Sequence, residues 1–347
     1  MTDAVTASPE SHAVAPEHRD FARDLLHGLS QTPRRVSPKY FYDAAGSALF
    51  DRICALPEYY PTRTEMAILR ENAPEIVRCI GAHANIIEFG AGSLDKVRVL
   101  LDAFPTDAAP DRYVPIDISD THLQDAAMRL RRDYPMLEVS PLAADYMQPQ
   151  QLHALDWLKG RRAGFFPGST LGNFEPSEAA TFLARARRML AGGGLLIGVD
   201  LVKDERTLYD AYNDSEGVTD AFNLNLLARA NRELGADFDL SAFTHLAFYN
   251  PDHQRIEMHL RSVRNQRLRV LGQTFSIAEG ETIHTENSHK YTIDGLRALA
   301  RVAGFVPGPV WTDAKQRFSV HWLASPGSGC AAPASDTVCN TNLSGTE

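Results

Sequence analysis

Short apolar runs alternate along the chain with stretches in which apolar residues recur every three to four positions, the pattern of strands joined by crossover helices. Ile86, Ile87 and Phe89 form one such run, which ends in Gly90-Ala91-Gly92-Ser93; Val97, Leu100 and Leu101 then return at helical spacing. This predicts strand, glycine-rich turn and helix. A second strand, 113–116, ends on Asp117, with Ser119 as the cap of a helix through Arg132. A third, 137–142, leads to Asp145-Tyr146, and a fourth, 163–167, leads into Gly168-Ser169-Thr170-Leu171-Gly172-Asn173. A helix from Glu178 to Leu190 stops at Gly192-Gly193-Gly194 before a fifth apolar strand, 195–201. The expected sheet is parallel and doubly wound, with ligands at the carboxyl ends of its strands.

From Tyr291 a helical pattern (Ile293, Leu296, Leu299, Ala300) runs into Gly304-Phe305, followed by strand-like pieces at 310–312 and 318–324. Pro307 and Pro309 leave the start of the first piece open. A helix and an antiparallel hairpin are how the sheet of class I methyltransferases finishes. The expected fold class is therefore α/β, a Rossmann-like class I methyltransferase sheet with an antiparallel C-terminal hairpin plus an inserted α+β substrate-binding lobe. Residues 60–201 and 289–324 would form the discontinuous cofactor domain, and 18–59 with 202–288 the lobe. Residues 1–17 and 325–347 hold little that can be buried and are expected to be disordered tails.

Composition narrows the function classes. The 347 residues are 44% hydrophobic and 23% charged, ordinary for a globular protein. The 35 basic residues are interleaved with 44 acidic ones at a net charge of −9, which excludes a nucleic-acid surface. No apolar stretch reaches the ~20 residues of a membrane span, and residues 1–20 lack the features of a signal peptide, so a cytoplasmic protein without a membrane partner is expected. Cys54, Cys79, Cys330 and Cys339 show no CxxC spacing, which leaves ordinary thiols. No HxxxH or HxH lies near carboxylates, so no metal is expected.

The turn after the first strand suits any ligand that the backbone must approach closely. Asp95 stands where a dinucleotide fingerprint has its third glycine, so a pyrophosphate cradle is not built. Asp117 is placed for ribose hydroxyls, although a plain capping carboxylate also suits that turn. Asp145 is placed to accept from an adenine amino group, with Tyr146 stacking nearby. Adenosine without phosphate fits these positions jointly. Lys96 either meets a carboxylate at the far end of that ligand or is a solvated surface lysine.

Three phrases are too particular to be composition: PKYFYDAAGSALFDRICALPEYYPTRTE (38–65), GSTLGNF (168–174) and DLVKDERTLYDAYNDSEGVTDAFNLNLL (200–227). With RIEMHLR (255–261) and TENSHKY (285–291), they resemble the bacterial histidine-specific Nα-methyltransferases, which make hercynine on the route to ergothioneine. The resemblance covers about residues 20–324. It implies S-adenosylmethionine (SAM) as cofactor and L-histidine with its mono- and dimethyl forms as substrates; a monomer is expected.

The resemblance places cofactor contacts on Gly90, Lys96, Asp117, Asp145 and Tyr146. It places acceptor contacts on Tyr59, Asn173, Tyr212, Glu286, Asn287 and Ser288, with Tyr42 beside the reacting amine as base or orienting group. Asn173 and Tyr212 can donate to the substrate carboxylate; Glu286 can accept from an imidazole N–H and Ser288 can donate to the ring. Met258 either shapes the ring pocket or is a core methionine. His259 stands where the family has Trp, and His289 where it has a smaller residue; strand alternation predicts that both rings turn away from the pocket. The same fold acting on another amine is disfavoured by Glu286, and a nicotinamide oxidoreductase by the missing glycine and the hairpin ending.

Overall fold

The computed structural model describes Ala15 and residues 18–325 except Ala191. The tails expected at 1–17 and 325–347 lie, apart from Ala15 and Ser325, outside the described residues. The chain opens with α1 (Arg19–Ser30), β1 (Arg34–Arg35), α2 (Ala44–Ala55) and α3 (Tyr60–Ile80). α1 buries Phe21, Leu25 and Leu29, one face at i, i+4 spacing. α2 starts where the Asp43 side chain accepts from Gly46 N–H at 2.7 Å.

The α/β core follows as β2 (Asn85–Phe89), α4 (Asp95–Leu101), β3 (Arg112–Asp117), α5 (Asp120–Asp133), β4 (Glu138–Val139), β5 (Leu142–Ala143), α6 (Pro149–Leu152), β6 (Arg162–Phe166), α7 (Pro176–Met189) and β7 (Gly194–Asp200). Next come α8 (Glu205–Tyr212), α9 (Val218–Leu234), β8 (Phe243–Asn250), β9 (Arg255–Ser262), β10 (Gln266–Val270), β11 (Gln273–Ile277) and β12 (Thr282–His289). α10 (Ile293–Val302), β13 (Val306–Thr312) and β14 (Phe318–Ala324) complete the fold.

The main sheet runs β13-β14-β7-β6-β2-β3-β4, with β5 also beside β3. Strands β2 to β7 are parallel, and β14 and β13 return antiparallel. This is a class I methyltransferase sheet. β2 and β7 are buried along their whole length because helices cover both faces. One face packs Ile68, Val97, Leu123 and Trp322; the other packs Phe166, Phe182, Leu183 and Leu296.

Two expectations change. The single third strand is two short pieces, β4 and β5, separated by Ser140 and Pro141, and β13 begins at Val306 rather than at 310. Its register slips between Pro307 and Val310, which an edge strand accommodates without the proline N–H.

A third hydrophobic core draws its buried residues from 21–60 and 208–283, including Phe41, Phe222, Leu226, Ile256 and Leu260. α9 packs here on a four-stranded sheet, β1-β12-β9-β8. The segment that supplies most of this core leaves and rejoins the main sheet at one point: Tyr291 N–H donates to Asp200 O, and Val202 N–H to Tyr291 O, each at 2.9 Å.

Candidate active site

A cavity of about 1190 Å³ opens at the carboxyl ends of β2, β3, β5 and β6 and continues to β12. It is lined on one side by Gly90, Lys96, Asp117, Asp145 and Tyr146, and on the other by Tyr42, Tyr59, Asn173, Tyr212, Met258, Glu286, Asn287 and Ser288. Every site residue read from the sequence therefore borders one space.

At the sheet end, Gly90 has φ +67°, a conformation that favours glycine, and Gly90 and Ala91 N–H both donate to Ile116 O. Asp117 caps this turn, accepting from Gly92 N–H at 3.1 Å and Ser119 N–H at 3.0 Å, one bond on each oxygen. Further lone pairs remain for ligand donors, so the capping role does not compete with a binding role. Asp145 accepts from Met147 N–H at 2.9 Å and meets Lys39 Nζ at 3.3 Å. The Tyr146 ring stands edge-on to Phe89, Phe166 and Phe182. Carboxylates at the ends of adjacent strands suit the hydroxyl and amino donors of a nucleoside, not a phosphate.

Lys96 is not a solvated lysine. Its Nζ lies 2.7 Å from Glu65 Oε2, and the buried Glu65 carboxylate also accepts from Gly168 N–H at 2.9 and 3.0 Å. Burial opposes the Lys96 charge, but Glu65 outweighs it and the ammonium sits above its ordinary range. Gly198 makes the arrangement possible, since a Cβ there would stand 1.9 Å from Glu65 Oε1. Beneath Gly90, burial pushes the Glu88 carboxyl up to about 8, although it accepts from the Tyr113 hydroxyl.

The other end is built by β12 against β9. Glu286 pairs with Met258 and Ser288 with Ile256, but His284 pairs with His259, so the register shifts at Thr285. The bulge reverses the alternation: Glu286 and Ser288 share the Met258 face, while His284 joins His259 on the other. The His259 ring stacks between His284 and Phe248, at 4.6 and 5.3 Å between centroids. Burial and the neighbouring His284 push it down to about 4. His289 lies against Glu175 at 4.0 Å. Neither His259 nor His289 lines the cavity. Glu257, His259 and His284 are close enough to hold a metal, a grouping hidden from sequence spacing because His284 arrives across the register. Glu257 is already engaged by Arg255 and Asn250.

Burial pushes the Glu286 carboxyl up to about 7, against the lowering influence of Lys290. Tyr42 is held edge-on by Phe50 and Phe222, and burial, then Glu286, keeps its phenol well above the ordinary range. Tyr59 stands edge-on to Tyr212. Asn287 donates through its amide nitrogen to Glu175 at 2.9 Å, and its buried Oδ1 has no partner among the described residues. Asn173 ends the turn 170–173, which approaches β12 so closely that a Cβ on Gly172 would stand 2.8 Å from His289 O.

Sequence reasoning missed Glu65, Asp200, Lys203, Lys290 and Tyr60. Asp200 receives the Tyr60 hydroxyl at 2.7 Å, Lys203 at 2.7 Å and Lys290 at 3.0 Å. All five lie inside the phrases 38–65, 200–227 and 285–291, yet a polar residue in a motif carries no mark of burial.

The profile of the histidine-specific, SAM-dependent methyltransferases matches residues 21–325. A histidine N-alpha-methyltransferase of Mycolicibacterium smegmatis is 43% identical over 294 residues, covering 84% of this chain and 90% of the relative. One of Mycobacterium tuberculosis is 41% identical over 311 residues, covering 88% and 95%. Ergothioneine biosynthesis protein 1 of Neurospora crassa is 31% identical over 84% of this chain, which corresponds to 33% of that protein. The chain thus belongs to the histidine-specific, SAM-dependent methyltransferase family.

Proposed function

We propose that this protein methylates the α-amino nitrogen of free L-histidine three times, the mono- and dimethyl forms remaining substrates, to give the hercynine of ergothioneine biosynthesis. The observation that carries the reading is Glu286, a half-buried carboxyl on the inner face of β12, opposite Met258 and two residues from Ser288. A ring with an N–H for Glu286 and an acceptor nitrogen for Ser288 fits that pair, and an aliphatic side chain leaves the carboxylate unpaired. Asn173 would hold the substrate carboxylate, beside Tyr212, whose proton is given to Ser288 Oγ at 2.7 Å. Asp117 would hold the ribose, Asp145 with Tyr146 the adenine, and Lys96 the methionyl carboxylate beside Gly90. Residues 60–201 and 289–324 then serve as cofactor domain, and 18–59 with 202–288 as substrate lobe, in a monomer of the cytoplasm. No described helix is long and apolar enough to cross a membrane.

Bound SAM supplies an electrophilic methyl on a cationic sulfur. The protein's part is alignment, with ring and carboxylate fixed while the amine turns between transfers. The amine attacks as the neutral base, from a pKa of roughly 8 in a peptide-like reference. The raised Tyr42 phenol stays protonated at neutral pH, which supports an orienting role, with the amine proton leaving to water. Incubation of the protein with SAM and each free amino acid, read by product mass, tests the proposal. Histidine carrying one, two and three methyl groups is expected; methylation of another amino acid in its place overturns the reading.

A further inference from the structure

Lys290 is a charged side chain only 3% exposed, one residue beyond β12. Its ammonium meets Asp200 Oδ2 at 3.0 Å, Ser288 Oγ at 2.7 Å and Tyr212 Oη at 3.2 Å. An ammonium has three N–H donors and no lone pair, so all its capacity is spent on the protein. The consequence falls on the two hydroxyls. Ser288 Oγ accepts from Lys290 and also from Tyr212 Oη at 2.7 Å, which fills both of its lone pairs and leaves its proton to give. Glu286, two residues away on the same face, can only accept when ionised.

We propose that Lys290 is a positioning residue that fixes Ser288 as a donor toward the cavity, so that the site admits its substrate's ring as neutral imidazole and rejects imidazolium. The inference rests on the reading that Glu286 and Ser288 hold the ring. A neutral imidazole gives its N–H to Glu286 and accepts from Ser288 at the other nitrogen. An imidazolium carries N–H on both nitrogens and would press one against an oxygen with no free lone pair, backed by the Lys290 charge. The remaining groups around Lys290 do not reverse this. Asp200 is shared with Lys203 and Tyr60, the Tyr59 and Tyr212 phenols are uncharged, and Glu286, the one facing carboxylate that favours a cation, is at the other nitrogen.

The test compares histidine with triazolylalanine, whose ring keeps a donor and an acceptor but stays neutral in mild acid. Dissociation constants for both are measured by calorimetry from pH 5.5 to 7.5 with S-adenosylhomocysteine bound. Titration of the protein affects both ligands, so their ratio isolates the ring. In the parent, the ratio should turn against histidine by about tenfold per unit below the imidazole pKa of about 6.5. Lys290→Met should bind both ligands on the order of tenfold more weakly at pH 7.5 and flatten the ratio, while Lys290→Arg keeps the slope. Ser288→Ala should flatten it with the Lys290 side chain still in place, and stands in if Lys290→Met fails to fold. A Lys290→Met or Ser288→Ala protein with the parental slope overturns the inference, as does a parent with no slope. Failure of the parent to bind histidine at any pH would instead sink the proposed function.

Discussion

Glu286 holds two opposed demands in one side chain. To select an imidazole N–H it must be desolvated, and desolvation is what raises its carboxyl to about 7. Glu286→Ala should lower kcat/KM for histidine by a factor equivalent to about 2 to 5 kcal/mol while leaving SAM affinity intact. Equal losses in histidine and SAM affinity, measured by calorimetry, would contradict the assignment to the acceptor. The stability consequence has a definite sign. The folded value lies above the ordinary 4.5, so the contribution of Glu286 is fully present below pH 4.5 and is lost as pH rises through 7. Ligand-free Glu286→Gln should therefore melt a few degrees above the parent at pH 8, with the gain shrinking toward pH 4.5. A thermal-shift series showing no gain at pH 8 would mean that the carboxylate is better solvated than its burial indicates.

Elements decide which of these side chains meet. Gly172 lets the turn bearing Asn173 lie against β12, and a Cβ there would meet backbone atoms His289 O at 2.8 Å and His289 N at 3.1 Å. Backbone cannot swing aside as a flexible side chain can, so Gly172→Ala should move Asn173 and raise KM for histidine about tenfold, with SAM affinity changed less than about twofold. Weakened SAM binding with an unchanged KM would place this turn on the cofactor side instead. The strand-helix alternation was legible because the buried strands are largely apolar, and Asp117 and Asp145 could be placed because they end or closely follow such runs. The break between β4 and β5 was not legible, since Leu137 and Leu142 bracket it with apolar residues. Nor was the bulge at Thr285. Strict alternation would put His284 on the Glu286 face, and only the pairing with β9 shows that it lies on the other. Lys290 was missed for a related reason: its burial depends on Asp200, ninety positions earlier in the chain.

Across the whole molecule, the cavity lies where the third core meets the sheet, and two kinds of ionic contact span that seam. Lys39 joins Asp24 to Asp145 with all three side chains partly exposed, a type of pair worth less than about 1 kcal/mol. The cluster around Asp200 is different. Tyr60 at the start of α3, Lys203 just after β7 and Lys290 just after β12 converge on one carboxylate that is 1% exposed. Burial would raise the Asp200 carboxyl, but Lys290 and Lys203 outweigh it and hold it below its usual range. One carboxylate does not serve two ammoniums equally. Burial opposes both charges, yet Asp200 keeps Lys290 above its ordinary range, whereas burial, with repulsion from Lys290, brings Lys203 down to about 8. Asp200→Asn strands both lysines and should cost about 3 to 5 kcal/mol, lowering Tm by about 5 to 10 °C. Because the folded value of Lys203 lies below its unfolded 10.5, its neutral form is favoured by folding, and stability is lost as pH falls through 8. The penalty of Asp200→Asn should therefore be larger at pH 6.5 than at pH 9, where Lys203 has shed its proton. Scanning calorimetry at the two pH values measures it, and a penalty independent of pH would show that Lys203 reaches water and that Lys290 alone depends on Asp200.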